Sequence, residues 1–201
     1  MTCLAVIPVK PPARAKLRLA GSLDPAAREQ LVRAMLDHVL RTVAASPEVS
    51  DVAVIGGDGV DLPAGVRRIA DRGDGLNPAL QAALAELNGG GIHRLIVIHG
   101  DLPQLTSDDV RRLAMVSDGR IGIAPDRHRT GTNALSLPLP GAAAFRFAFG
   151  ADSFAQHSVE AGRLDLPLEM LESEGLARDI DEPSDLSQLN QAGPRSTADA
   201  R

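Results

Sequence analysis

The sequence predicts an α/β protein, a three-layer α/β/α sandwich on a mostly parallel sheet. Short, almost continuously apolar runs such as Leu4–Val9, Val52–Ile55 and Leu95–His99 read as strands buried on both faces, as in parallel sheets covered by helices. Longer stretches with apolar residues at helical spacing lie between them, and the strand–helix alternation continues to residue 124. A third pattern locates the site. In Arg94–Leu105, RLIVIHGDLPQL, a carboxylate follows a buried strand directly, and open α/β sheets bind ligands at the carboxyl ends of their strands.

Leu4–Val9 is the first strand, and a proline-interrupted basic loop carrying Lys10, Arg14, Lys16 and Arg18 follows it. Asp24-Pro25 supplies an N-cap and a proline for the first helical position. The helix it opens runs to about Ala45, with Leu31, Met35, Val39 and Val43 on its apolar stripe. Val52–Ile55 and Val66–Ala70 are the next strands. A helix over Pro78–Leu87 turns Leu80, Ala83, Leu84 and Leu87 inward, and Asn88–Gly91 breaks it. Gly100 ends the strand Leu95–His99, Pro103 stiffens the exit, and Thr106–Asp109 starts a helix reaching about Val116. Arg120–Ala124, Ala134–Leu137 and Leu168–Leu171 are short strands, the later ones expected to add a substrate-facing extension to the sheet. Phe145–Phe149 anchors core beside Gly150–Ser153, where a helix to Ala161 begins. Arg178–Leu186 is an extended piece entering a short last helix. One domain is expected over residues 1–190, with 191–201 a disordered tail.

Composition narrows the function. The 201 residues are 44% hydrophobic and 23% charged, ordinary for a globular chain. A net charge of -5 without long blocks argues against a nucleic-acid surface, and four Phe with no Trp or Tyr leave few stacking platforms. The single cysteine, Cys3, falls in the first strand, reads as core and excludes an internal disulfide. No apolar run approaches the roughly 18 residues of a membrane helix. The N-terminus also lacks the charged start of a signal peptide, so a soluble cytoplasmic protein is expected.

Three groups of residues carry chemistry. The cations Lys10, Arg14, Lys16 and Arg18 follow a buried strand and suit a polyphosphate, although a solvated loop has the same composition. Neither GxxxxGK[ST] nor GxGxxG occurs, which argues against a P-loop or a dinucleotide site. Asp101 and Asp181 each end an apolar segment and precede a proline. Two such carboxylates from separate segments suit one Mg²⁺ and phosphoryl or nucleotidyl transfer, with Asp179 and Glu182 competing for the second place and turn capping as the plainer reading. Thr130–Asn133, with Gly150 and Ser153 at a helix start, offers small residues and N–H groups to an anion, with a simple ST-turn and an ordinary N-cap as the plainer readings. His99, His128 and His157 are not spaced as a metal cluster, and His157, one turn into its helix, is expected at the surface, with a ligand-facing place as the alternative. There is no nucleophile elbow.

Taken in order, VKPPARAKLRL, GDGLNPAL, IHGDLP, DRHRTGTNAL, FGADSFAQH and DIDEPSDL resemble the guanylyltransferases of deazaflavin coenzyme (F-420) biosynthesis. The resemblance extends from about Val6 to Leu189 and implies the nucleotide-diphospho-sugar-transferase-like, Rossmann-like nucleotidyltransferase fold. That family transfers GMP from GTP to the phosphate of 2-phospho-L-lactate, phosphoenolpyruvate or 3-phospho-D-glycerate and releases pyrophosphate. The Gly-Thr-Asn and Asp-Ser-Phe forms tilt the expectation toward phosphoglycerate or phospholactate. By resemblance, Asp101 and Asp181 hold Mg²⁺, and Lys16 and Asp101 are the catalytic residues. Lys10, Arg14, Lys16, Arg18, Gly75 and Asn77 meet GTP. Thr132, Gly150 and Ser153 meet the acceptor's phosphate and carboxylate. The resemblance also implies a homodimer and a downstream transferase that joins the product to the deazaflavin. Loading of a sugar phosphate or the molybdenum cofactor, and a non-catalytic nucleotide-binding module, are the competing functions.

Overall fold

The computed structural model describes residues 2–9, 15–57, 59–69, 75–87 and 90–189. The chain runs through β1 (Cys3–Val9), a 3-10 turn (Leu17–Gly21), α1 (Pro25–Ala44), β2 (Asp51–Gly56), β3 (Val66–Ile69) and α2 (Leu76–Leu87). It continues with β4 (Arg94–Ile98), α3 (Ser107–Ala114), β5 (Ile121–Pro125), β6 (Thr132–Pro138) and α4 (Ser153–Arg163), then β7 (Leu168–Met170), α5 (Glu174–Ala177) and α6 (Pro183–Leu189). The expected tail, 191–201, lies outside the described residues. Among them no helix is long and apolar enough to cross a membrane.

The seven strands form one sheet in the order β3-β2-β1-β4-β6-β5-β7, which puts β4 at its centre. The β1–β2, β1–β4, β2–β3 and β5–β7 pairs are parallel. Alternate residues of the strands feed opposite layers, as the two-residue strand period dictates. Cys3, Ala5 and Ile7 of β1 and Ile96 and Ile98 of β4 pack with Leu36, Val39 and Leu40 of α1 and Val110 and Leu113 of α3. Leu4, Val6, Leu95 and Val97 face the other way, onto Leu80, Ala83 and Leu84 of α2 and Ala161 of α4. Each such fully buried aliphatic side chain is worth roughly 1.5–3 kcal/mol over an exposed one. Two cores on opposite faces make the three layers.

The helix starts follow the capping residues. Asp24 Oδ1 accepts the Ala27 N–H at 2.8 Å at the head of α1, with Pro25 next. Thr106 and Asp109 cap α3 reciprocally: Thr106 Oγ1 accepts the Asp109 N–H at 3.2 Å, and Asp109 Oδ2 accepts the Thr106 N–H at 2.9 Å.

The strands of the second half add to the sheet beyond β4, but not in chain order. The segment around Ala134–Leu137 enters first, next to β4. It forms β6, inserted between β4 and β5 and antiparallel to both. The short connection 126–131 explains this, because an antiparallel return needs only a turn whereas a parallel one needs a crossover of about a dozen residues. All of β6 is buried, so its sequence shows no in–out alternation. The short α5 was also unforeseen. It begins beside α3, where a Cβ on Gly175 would stand 2.3 Å from Asp109 Oδ2.

Gly122 in β5 is also closely covered. A Cβ there would stand 2.7 Å from Val116 Cγ2 and 3.0 Å from Ser136 Cβ. Gly122→Ala is expected to lose about 1–3 kcal/mol through overpacking. A lower urea midpoint at unchanged denaturant dependence is the measurement that checks it.

Candidate active site

Gly100 lets the chain leave β4 flush against the layer beneath it, since a Cβ would stand 3.0 Å from Leu36 Cδ1 and 3.4 Å from Ile7 Cγ2. Asp101 is thereby delivered just beyond the carboxyl end of the central strand. Lys16 approaches at the start of the 3-10 turn, in a left-handed backbone conformation (φ 53°, ψ 40°). That conformation costs a lysine roughly 1 kcal/mol or more. Its Nζ contacts both Asp101 and Asp181. Ala15 and Leu19 on either side of Lys16 pack with Val32 and Met35 of α1 and with Ile180. One small apolar cluster therefore seats both the lysine turn and the segment that carries Asp181.

Asp179 completes the group, with one carboxylate oxygen each from Asp101, Asp179 and Asp181 lying within 4.8 Å of one another. Burial opposes charge on Lys16, but Asp101 and Asp181 outweigh it and hold the ammonium's pKa above its ordinary value. Burial likewise opposes ionisation of Asp101, and the Lys16 ammonium overcomes it, holding that carboxyl below the usual range. Among the described residues Asp179 has no such cationic partner, only the Asn133 amide. Its burial and the neighbouring Asp101 and Asp181 charges push its pKa up to about 6. Among the described residues, three carboxylates against one ammonium leave an excess of negative charge. Asp101 Oδ1, moreover, is buried and accepts no hydrogen bond among the described residues. Hard oxygen donors, clustered and under-neutralised, fit a divalent cation such as Mg²⁺.

Beside this group, the start of β6 meets the start of α4. Ser153 Oγ accepts the Thr132 N–H at 2.9 Å, and the Phe154 N–H reaches Thr130 O at 3.1 Å. Gly150, with φ at 135°, ends a segment held by Asn77. Asn77 Nδ2 donates to Phe149 O at 3.0 Å, and Asn77 Oδ1 accepts the Phe149 N–H at 2.8 Å. The Phe149 ring packs at 5.1 Å from His99, two residues before Asp101, and at 4.8 Å from His157. A continuous set of contacts thus joins the carboxylates to the Thr132–Ser153 corner.

The structure therefore brings together Lys16, Asp101, Asp179 and Asp181, and separately Thr132, Ser153, Gly150 and Asn77. Gly75, with φ at 98°, precedes α2 and stands two residues before Asn77. Arg18 is exposed and makes no ion pair among the described residues. Lys10 and Arg14 lie outside them. Glu182, a rival for the second acidic position, is exposed and is not part of the carboxylate group. His157 is the clear correction: it is fully buried, not at the surface. Its Nε2 accepts the Ala148 N–H at 2.9 Å and its Nδ1 bonds Thr132 Oγ1 at 3.0 Å. Asn133, singled out from the sequence only as part of the Thr130–Asn133 group, was not assigned to the acids: its Nδ2 donates to Leu176 O at 2.9 Å and approaches Asp179 Oδ1 at 3.4 Å.

A mostly parallel sheet with helices on both faces, and a cluster of acids beyond its central strand, give the chain the α/β fold of nucleotidyltransferases. A putative nucleotide-diphospho-sugar transferase from Desulfovibrio desulfuricans superposes with a TM-score of 0.76 at 18% identity, covering 98% of this chain and 90% of that one. A 4-diphosphocytidyl-2C-methyl-D-erythritol synthase superposes at 0.62 and 14% identity, over 94% and 98%. Within that class the chain belongs to the CofC-like guanylyl transferase family, whose model matches residues 3–199. A phosphoenolpyruvate guanylyltransferase of Sphaerobacter thermophilus is 40% identical, over 96% of this chain and 95% of that protein. One of Chloroflexus aggregans is 35% identical over 90% and 94%.

The buried histidine makes stability depend on pH. Burial, with His99 nearby and despite Glu160, lowers the His157 pKa from 6.5 to about 4. The unfolded chain takes up this proton below pH 6.5 while the folded chain refuses it until about pH 4. The neutral ring's contribution is therefore complete above pH 6.5 and falls away as pH drops through that window, a total of about 3 kcal/mol. Urea midpoints at pH 7.5 and pH 4.5 check this: His157→Gln is expected to show a smaller difference between the two than the wild type.

Proposed function

We propose that this chain transfers GMP from GTP to the phosphate of phosphoenolpyruvate, with release of pyrophosphate, as a step toward the deazaflavin coenzyme F-420. The observation that carries the reading is the convergence of Lys16 with Asp101, Asp179 and Asp181 beyond the central strand of a CofC-like guanylyl transferase. The choice of acceptor follows the names of the relatives, at 40% and 35% identity, and moves away from phosphoglycerate and phospholactate.

In this reading an oxygen of the acceptor phosphate attacks the α-phosphorus of GTP. A P–O bond forms, the bond from the α-phosphorus to the bridging oxygen breaks, and the electron pair leaves with pyrophosphate. The attacking oxygen is already an anion, so no general base is required. The work left to the protein is to bring two polyanions together and to stabilise the charge on the leaving group. Asp101 and Asp181, with Asp179 beside them, would hold Mg²⁺, which when bound offsets triphosphate and pyrophosphate charge. Lys16 adds a positive charge on the same spot, and Lys10, Arg14 and Arg18 are assigned to the phosphates of GTP. Gly75 is assigned to the nucleotide at the start of α2, and Asn77 acts there by fixing Phe149. Thr132, Gly150 and Ser153 are assigned to the acceptor. The hydrogen bonds of Thr132 with Ser153 and His157 preset that corner before substrate arrives.

Pyrophosphate release by the purified protein with GTP and Mg²⁺ tests the reading, offering phosphoenolpyruvate, 3-phospho-D-glycerate and 2-phospho-L-lactate separately, with ATP and CTP as nucleotide controls. Release with GTP and phosphoenolpyruvate is expected. Asp101→Asn should lower that rate at least ~10²-fold, the scale of losing a preorganised electrostatic group. Near wild-type turnover in this variant would remove Asp101 from the mechanism.

A further inference from the structure

Asp179 and Asp181 lie on neither a strand nor a helix. They sit on an irregular strap between α5 and α6, and such a strap has no backbone ladder of its own to aim two carboxylates at a third. What aims it is found across the sheet edge, on the turn that joins β5 to β6.

Arg127 grips the strap on both sides of these residues. Its backbone N–H donates to Ala177 O at 2.9 Å, and its guanidinium Nη1 meets Asp185 Oδ1 at 2.6 Å. Asp185 is completely buried, and its other oxygen accepts the N–H of Asp181 at 2.9 Å and of Glu182 at 2.8 Å. The path from Arg127 to the backbone of Asp181 is therefore one ion pair and one hydrogen bond long. The turn bearing Arg127 is itself braced. Asp126 accepts N–H groups from His128, Thr130 and Gly131 at 3.1, 2.9 and 2.9 Å, and a Cβ on Gly131 would stand 2.8 Å from Asp126 Oδ2. Helix capping accounts for Asp185 and Glu182, because an acid at the third helical position commonly accepts the N-cap N–H. It does not account for the second acceptance from Asp181, nor for an arginine reaching in from another strand pair.

We propose that Arg127, acting through Asp185, is the positioning residue that sets Asp181 and Asp179 against Asp101. The proposal rests on reading those carboxylates as the divalent-cation site. Orienting partners behind metal ligands change metal affinity about 10–100-fold when removed. Arg127 is not one of the three clustered acids and contacts Asp185 and Ala177 instead, so in this proposal its loss acts on how well the carboxylates converge.

Mn²⁺ binding to the full-length protein, followed by electron paramagnetic resonance, is the direct test, with the Mg²⁺ dependence of pyrophosphate release beside it. Arg127→Ala is expected to weaken Mn²⁺ binding tenfold or more and to raise the Mg²⁺ concentration for half-maximal rate, with a smaller change in the rate at saturating Mg²⁺. Arg127→Ala leaves the Asp185 carboxylate buried without its cation, a change that can unfold a protein. The double variant R127M/D185N removes both charges and is measured alongside; it should show the same loss of Mn²⁺ affinity while folded. Arg129→Ala, on the same turn but paired at the surface with Glu172 at 2.5 Å, is expected to bind Mn²⁺ as the wild type does. Arg127 variants that melt earlier yet bind Mn²⁺ with wild-type affinity would overturn the proposal and leave Arg127 a stabilising residue only. A wild-type protein that binds no Mn²⁺ would overturn the cation reading and the proposal with it.

Discussion

Three carboxylates meet beyond the end of β4, and among the described residues the ammonium of Lys16 is the group that bridges two of them. Like charges this close repel, and burial first, then that repulsion, raises the pKa of Asp179. Lys16 relieves part of it. In doing so it ties three distant stretches of chain into one corner: the turn after β1, the exit of β4 and the strap after α5. The left-handed backbone at Lys16 is a strain held in place by Ala15, Leu19, Met35 and Ile180 packed around it. Electrostatics and packing act on the same segments here, so neither the turn nor the strap is free to settle without the other.

The second dependence is on β6. By entering the sheet between β4 and β5 it places Thr132 and Asn133 next to the end of β4, where the His99 N–H donates to Asn133 O at 3.0 Å. Asn133 then reaches Leu176 and Asp179, while Thr132 reaches Ser153 and His157. One short antiparallel strand is thus shared by the carboxylate group and by the Thr132–Ser153 corner. Preorganisation of this kind lets a site made mostly of loops act with the precision of one built on strands, since buried hydrogen bonds from Thr132 and Asn133 tie the loops to the sheet. The aromatic contacts of Phe149 with His99 and His157 fill the space between the two halves.

Much of this was legible in the sequence, and for identifiable reasons. Buried parallel strands are apolar throughout, so β1, β2 and β4 announce themselves, and Asp24-Pro25 and Thr106–Asp109 mark helix starts by chemistry local to a few residues. Asp101 was visible because it directly follows such a strand. Asp181 was visible only as one acid among several in DIDEP, and choosing among Asp179, Asp181 and Glu182 requires knowing which way each points. Arg127, Asp185 and His157 look like ordinary surface residues in a list of letters. Each is placed by partners far off in the chain: Asp185 for Arg127, Thr132 for His157.

The sequence by itself determined the class of fold, the central strand and its carboxylate, and the family to which the chain belongs, because periodicity, capping and short motifs are properties of neighbouring residues. Only the tertiary structure decided that β6 lies inside the sheet, that His157 is buried and that Asp179 joins Asp101 and Asp181. Those facts depend on which segments meet across long stretches of chain. Strand pairing, burial and charge repulsion settle that jointly, and no local run of residues encodes it.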